Sequence, residues 1–189
     1  MDAFLISFGI IFVAELGDKS QLMAMTFAAR YRAVTILIAI TAATALVHLF
    51  SVLLGAALGV ALPTRAISIV AGFAFLGFAA WTLRGDELDD DDRSRAEQST
   101  KSVLLTVGLA FFLAELGDKT MLATVTLATT NGLMGTWLGS TLGMVAADAL
   151  AIVVGQQLGA RLPERVVRIG AAITFVVFGL ILIASGLRS

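Results

Sequence analysis

The sequence predicts an all-α membrane protein, with six transmembrane helices arranged as two inverted three-helix repeats. Three observations carry that expectation. First, 58% of the 189 residues are hydrophobic and only 14% are charged, against about 45–50% and about 25% in soluble domains. Second, six apolar stretches each reach the about 20 residues a helix needs to cross a hydrocarbon core of ~30 Å. Third, shifting the chain by 100 residues lays its second half on its first without a gap.

The composition also excludes several classes of function. A formal net charge of −1 and the lack of a basic patch argue against nucleic-acid binding. The absence of cysteine rules out a disulfide scaffold and a thiolate metal site. The mean hydropathy of +0.94 leaves too few polar residues to clothe the helices of a large soluble enzyme, and no enzymatic activity is expected.

The six spans are expected at about 4–29, 34–61, 66–84, 102–129, 133–158 and 166–187. The acidic start, Met1-Asp2-Ala3, carries no basic region or small-residue cleavage site, so the first stretch reads as a mature helix rather than a cleaved signal. Arg30-Tyr31-Arg32 ends it. Pro63 and Pro163 separate the second span from the third and the fifth from the sixth, and Asn131-Gly132 parts the fourth from the fifth. Trp81 and Trp137 fall near helix ends, where an indole suits the membrane interface. Residues 85–101 form an acidic linker that opens with seven charged residues in the eight that follow Gly85, a solvated connector by its composition. The domains expected are therefore a first repeat at 1–84, the cytoplasmic linker at 85–101 and a second repeat at 102–189, all within one membrane domain.

The repeat is the most informative feature. Of 89 pairs at the 100-residue offset, 22 are identical, and the polar matches among them cannot come from apolar bias. Phe12-Val13-Ala14-Glu15-Leu16-Gly17-Asp18-Lys19-Ser20 lies on Phe112-Leu113-Ala114-Glu115-Leu116-Gly117-Asp118-Lys119-Thr120. Three helices per repeat is an odd number, so the second copy enters the membrane from the opposite side, as in many secondary transporters. The basic residues orient the chain. Nine of them (Arg30, Arg32, Arg84, Arg93, Arg95, Lys101, Arg161, Arg165 and Arg168) fall on the side of the linker, and only Arg65 and Arg188 fall on the other. By the positive-inside rule the linker is cytoplasmic and both termini are outside.

Six charged residues sit where charge is costly. Glu15, Asp18 and Lys19, and their counterparts Glu115, Asp118 and Lys119, fall near mid-span, where each costs about 2.5–3.5 kcal/mol on insertion scales. They must be paired, hydrated or bound to something. At 100° per residue, Glu15, Asp18, Lys19, Leu22 and Thr26 share one helical face, and Glu115, Asp118, Lys119, Leu122 and Thr126 share another. Two such faces brought together offer four carboxylates, a hard-oxygen site suited to Mg²⁺, Ca²⁺ or Mn²⁺. The alternative is structural: Glu15–Lys19 and Glu115–Lys119 are i,i+4 pairs in the favourable order. Gly17 and Gly117 either admit a neighbouring backbone or let the helix open so that carbonyls join the site.

Further candidates surround these. His48 and Asp148 occupy matched positions and read as supporting or proton-coupling groups, or else as interhelical polar contacts. Gln21, whose twin is Met121, offers an amide oxygen to an ion. Met23, Met25 and Met121 read as packing residues, and Gly55-x-x-x-Gly59 and Gly155-x-x-x-Gly159 as close helix contacts.

The hexapeptides from Glu15 to Ser20 and from Glu115 to Thr120 resemble the doubled E-x-G-D-[KR]-[ST] signature of the Gdt-one / transmembrane protein 165 family of cation-proton antiporters, in its bacterial manganese-exporter branch. The resemblance covers essentially the whole chain, and the acidic linker resembles the family's cytosolic loop. It implies a secondary active exchanger that exports Mn²⁺, or Ca²⁺, from the cytosol against H⁺. Glu15, Asp18, Glu115 and Asp118 would then be metal ligands, with Lys19, Lys119, Ser20 and Thr120 in support. The partners it implies are the divalent ion, protons and a lipid bilayer, with no resident cofactor and no nucleic acid. The location it implies is the bacterial plasma membrane, since the long N-terminal extension of organellar members is not seen. Two rivals stand beside this expectation: an exporter of a small cationic solute such as a basic amino acid, and a non-transporting membrane scaffold.

Overall fold

A computed structural model describes residues 2–61, 63–84, 102–158 and 164–188. Among them are eight helices: α1 (Asp2–Glu15), α2 (Lys19–Ala28), α3 (Ala33–Ala61), α4 (Thr64–Arg84), α5 (Val103–Glu115), α6 (Lys119–Thr130), α7 (Leu133–Leu158) and α8 (Glu164–Arg188). No strand occurs among the described residues. Four helical segments are long and apolar enough to cross a membrane: Ala33–Ala61, Arg65–Arg84, Leu133–Gly155 and Ile169–Arg188. The linker at 85–101 lies outside the described residues, as do Gly159 and Pro163.

The first and fourth expected spans are not continuous helices, and this corrects the sequence reading. Each is two short helices that meet at a two-residue turn, Leu16-Gly17 or Leu116-Gly117. Gly17 has φ +76° and Gly117 φ +81°, the only positive φ values among the described residues. This left-handed region is one that glycine enters without a Cβ clash. At Gly117 a Cβ would find open space, so backbone conformation, not a close neighbour, requires the glycine there. The single helical face drawn through residues 15, 18, 19, 22 and 26 therefore does not exist, because the helix axis is interrupted inside it.

Other boundaries have local causes. The Pro63 carbonyl accepts the Ile67 N–H at 3.0 Å as α4 begins, a place where a missing proline N–H costs nothing. Asn131 closes α6 twice over: its backbone N–H and its side-chain Nδ2 both donate to the Leu127 carbonyl, at 3.0 and 2.9 Å. The Gly132 carbonyl then accepts from Thr136 N at 3.0 Å and starts α7.

Packing joins the two halves. α1 and α2 lie against α7, α6 against α3, and α4 against α8. Glycine permits the closest approaches. A Cβ on Gly139 would strike the Phe4 carbonyl oxygen, and one on Gly143 would stand 2.6 Å from that of Phe8. Gly55 faces the Val125 carbonyl of α6 and Gly59 that of Thr129, as the first small-residue pattern implies. Gly155 faces the Met25 side chain. Between α4 and α8, Phe75, Phe78, Phe175 and Phe178 form an aromatic knot; its closest pair, Phe75–Phe178, has centroids 5.0 Å apart. Trp137 is half-buried and its indole N–H donates to the Ala45 carbonyl of α3 at 2.8 Å. It ties two helices together, since an indole N–H drawn partly away from water needs an acceptor.

Candidate ion-binding site

The two motif turns are built alike. Glu15 and Glu115 are the last residues of α1 and α5; Asp18 and Asp118 precede the first residues of α2 and α6 in extended conformation. The Asp18 and Asp118 N–H groups reach back to the Glu15 and Glu115 carbonyls at 3.1 and 3.2 Å, which closes each turn. Asp118 accepts from Thr120 N at 3.4 Å as an N-terminal cap, where carboxylate charge also complements the helix dipole. A carboxylate thus stands on each side of each break, and Glu15, Asp18, Glu115 and Asp118 are all buried.

The lysines cross between the halves. Lys119 Nζ lies 2.5 Å from Asp18 Oδ1, and Lys19 Nζ lies 3.9 Å from Asp118 Oδ1. These contacts link the two copies of the motif, where the i,i+4 alternative placed each lysine on the glutamate of its own copy. Each glutamate instead takes a hydroxyl from its own motif. Ser20 donates to Glu15 Oε1, and Thr120 donates to Glu115 Oε2 at 3.0 Å. The other oxygens, Glu15 Oε2 and Glu115 Oε1, are buried and accept no hydrogen bond. Glu15 lies within coulombic reach of Asp18, Glu115, Asp148 and Asp118. Glu115 lies within reach of Asp118, Asp18 and Asp148. The acids of both halves therefore act on one another, although no three His, Asp or Glu side chains among the described residues are gathered closely enough to hold a metal ion as they stand.

The remaining candidates divide. Asp148, on α7, is fully buried with both carboxylate oxygens unpartnered. His48, its counterpart on α3, is fully buried with both ring nitrogens unpartnered. Gln21 spans the broken turn: its Oε1 accepts from Gly17 N at 2.7 Å and its Nε2 donates to the Ala147 carbonyl at 2.8 Å. Its twin Met121 receives the Gly117 N–H on sulfur at 3.1 Å. Thr26 and Thr126 are not drawn in; each hydroxyl donates to its own helix, at the Leu22 and Leu122 carbonyls, both at 2.8 Å. The stripes that the sequence groups with His48 and Asp148 meet as well: Thr44 donates to Met144 Sδ at 3.5 Å, a contact between matched positions one turn from those two residues.

Long apolar helices around two buried, charge-bearing helix breaks have the build of a membrane transporter. Residues 3–90 and 103–189 match the family described as "Divalent cation/proton antiporter GDT1", and the chain belongs to that family of multi-pass membrane proteins. It is 32% identical over 183 residues to the "Putative manganese exporter" of Vibrio cholerae serotype O1, which covers 95% of this chain and 90% of that protein. It is 29% identical over 199 residues to the GDT1-like protein sll0615 of Synechocystis, over 96% of each chain. It is also 29% identical over 204 residues to the chloroplastic GDT1-like protein 2 of Oryza sativa subsp. japonica, covering 93% of this chain and 59% of that one. No solved structure matches.

Proposed function

We propose that the chain is a secondary active antiporter that exports Mn²⁺, or Ca²⁺ in its place, from the cytosol in exchange for H⁺. One observation carries the reading. Two fully buried glutamates, one from each half, end on carboxylate oxygens with no hydrogen-bond partner beside two helix breaks. An uncompensated buried charge is too costly to keep without a use. Oxygen-only donors suit a hard divalent cation. The printed name of the Vibrio cholerae relative favours manganese.

In this reading α1–α2 and α5–α6 are two broken spans, which with α3, α4, α7 and α8 make six crossings in two inverted repeats. Residues 85–101 face the cytosol, both termini lie outside, and the membrane is the bacterial plasma membrane. Glu15 and Glu115 supply the open ligands. Asp18 and Asp118 share their charge between the cation and the lysine of the opposite motif, and Ser20 and Thr120 hold the glutamate carboxylates in place. Protons and the cation compete for the same oxygens, so each loading releases protons and each unloading takes them up. Movement of one repeat against the other turns the site from one face to the other, and closes the acids into one coordination sphere as it does so.

The test is Mn²⁺-driven proton flux in proteoliposomes, read with a pH-sensitive dye. Glu15→Gln and Glu115→Gln are each expected to abolish the flux. Wild-type flux in both variants contradicts the reading.

A further inference from the structure

We propose that Asp148 is a further carboxylate ligand for the transported cation, from outside the two motifs, beside the open ligands Glu15 and Glu115. The inference rests on the antiporter reading above and deepens it. The two aspartates of the motifs each have a lysine of the opposite copy, Asp18 with Lys119 and Asp118 with Lys19. Glu15, Glu115 and Asp148 have no ion pair among the described residues, and all three are completely buried. Asp148 is the most exposed to this lack: neither of its oxygens accepts a hydrogen bond, whereas each glutamate accepts one hydroxyl.

Its position is set by the break itself. The carbonyl of Ala147, the preceding residue, accepts from Gln21 Nε2, and the same Gln21 side chain accepts the N–H of Gly17 inside the broken turn. One side chain therefore fixes the backbone next to Asp148 relative to the turn that carries Glu15 and Asp18. Asp148 lies within coulombic reach of both glutamates. The three are not gathered onto one point as they stand, but three buried carboxylates that repel one another and hold no cation of the protein's own call for one from outside, and the closing movement of the repeats brings them onto it. The site so formed is lopsided. The matched position on α3 is His48, whose imidazole adds no negative charge, so α7 supplies an acid that α3 does not.

The test is a Mn²⁺ titration of the purified full-length protein, with free Mn²⁺ read by its electron paramagnetic resonance signal. Asp148→Asn is expected to raise the Kd for Mn²⁺ by more than about 100-fold, beyond the ~10–100-fold loss seen when a group that only supports the ligands is removed. Asp148→Glu is expected to bind again but with a changed Mn²⁺ to Ca²⁺ preference, since it moves the carboxylate by one methylene. Wild-type Kd in Asp148→Asn, with Glu15→Gln defective, overturns the role of Asp148 and leaves the antiporter reading standing. No binding of Mn²⁺ or Ca²⁺ by the wild type overturns both. If Asp148→Asn does not fold, the Mn²⁺ to Ca²⁺ preference of Asp148→Glu decides, and an unchanged preference overturns the proposal.

Discussion

Residues 2–84 and 102–188 build the same four helices with the same break, yet the two breaks sit in unlike surroundings. Lys119 is almost wholly buried and 2.5 Å from its aspartate; Lys19 is partly exposed and 3.9 Å from its own. The first break is bridged by a glutamine that donates to α7, the second by a methionine sulfur. Packing differs in the same way. α1 lies tight against α7 through Gly135, Gly139 and Gly143. The matched positions on α3 are Thr35, Ala39 and Ala43, and there α3 and α5 leave an apolar groove of about 520 Å³ lined by Ile38, Ala42, Leu46, Leu105 and Leu109. The motif is shared, and the differences around it set how firmly each copy is held. Under the proposed mechanism one repeat moves against the other, and these two interfaces are where that movement takes place.

That comparison can be broken or sharpened in graded steps. The largest effect falls where the halves are alike: loss of either glutamate carboxylate is expected to remove transport completely, as the proteoliposome assay reads. Next comes the unequal pair of lysines. Lys119→Met leaves Asp18 buried without its closest cation and is expected to cost about 3–5 kcal/mol. Lys19→Met is expected to cost about 0–1 kcal/mol, the range of looser, partly solvated pairs. Denaturant unfolding in detergent micelles measures both, and equal costs would show that the two copies are held alike. Gly139→Ala pushes a methyl into the Phe4 carbonyl and is expected to cost about 1–3 kcal/mol. The reverse change in the other half, Ala39→Gly, is expected to cost only about 0.5–1 kcal/mol. The smallest step is Gln21→Met, which copies the second half into the first. Losing its two hydrogen bonds is expected to lower stability by about 1–2 kcal/mol, with transport slowed rather than lost.

Much of the fold was legible in the sequence because its signals are local or exact. Apolar length marked the four long helices, and Pro63, Asn131 and Gly132 fell at their ends. The breaks after Glu15 and Glu115 were only half legible. Periodicity reads straight through Leu16-Gly17, since a two-residue turn hardly disturbs the apolar pattern, and glycine signals close packing and a left-handed turn equally well. The partners of the lysines could not be read. Sequence spacing favours Glu15–Lys19 within one helix, whereas Lys119 meets Asp18 only because the two halves fold together. The aromatic knot was visible and passed over: Phe75 with Phe175 and Phe78 with Phe178 are identities of the repeat. The small-residue pattern at Gly135, Gly139 and Gly143 was likewise present without being singled out.

The central claim is that both copies of the motif serve a single cation. Equilibrium binding of radioactive Mn²⁺ to the wild type, Glu15→Gln and Glu115→Gln tests it most directly. The account predicts one ion per wild-type chain and loss of that ion in either variant. Two ions per chain, with one retained in each variant, would mean that each half binds on its own, and would contradict it.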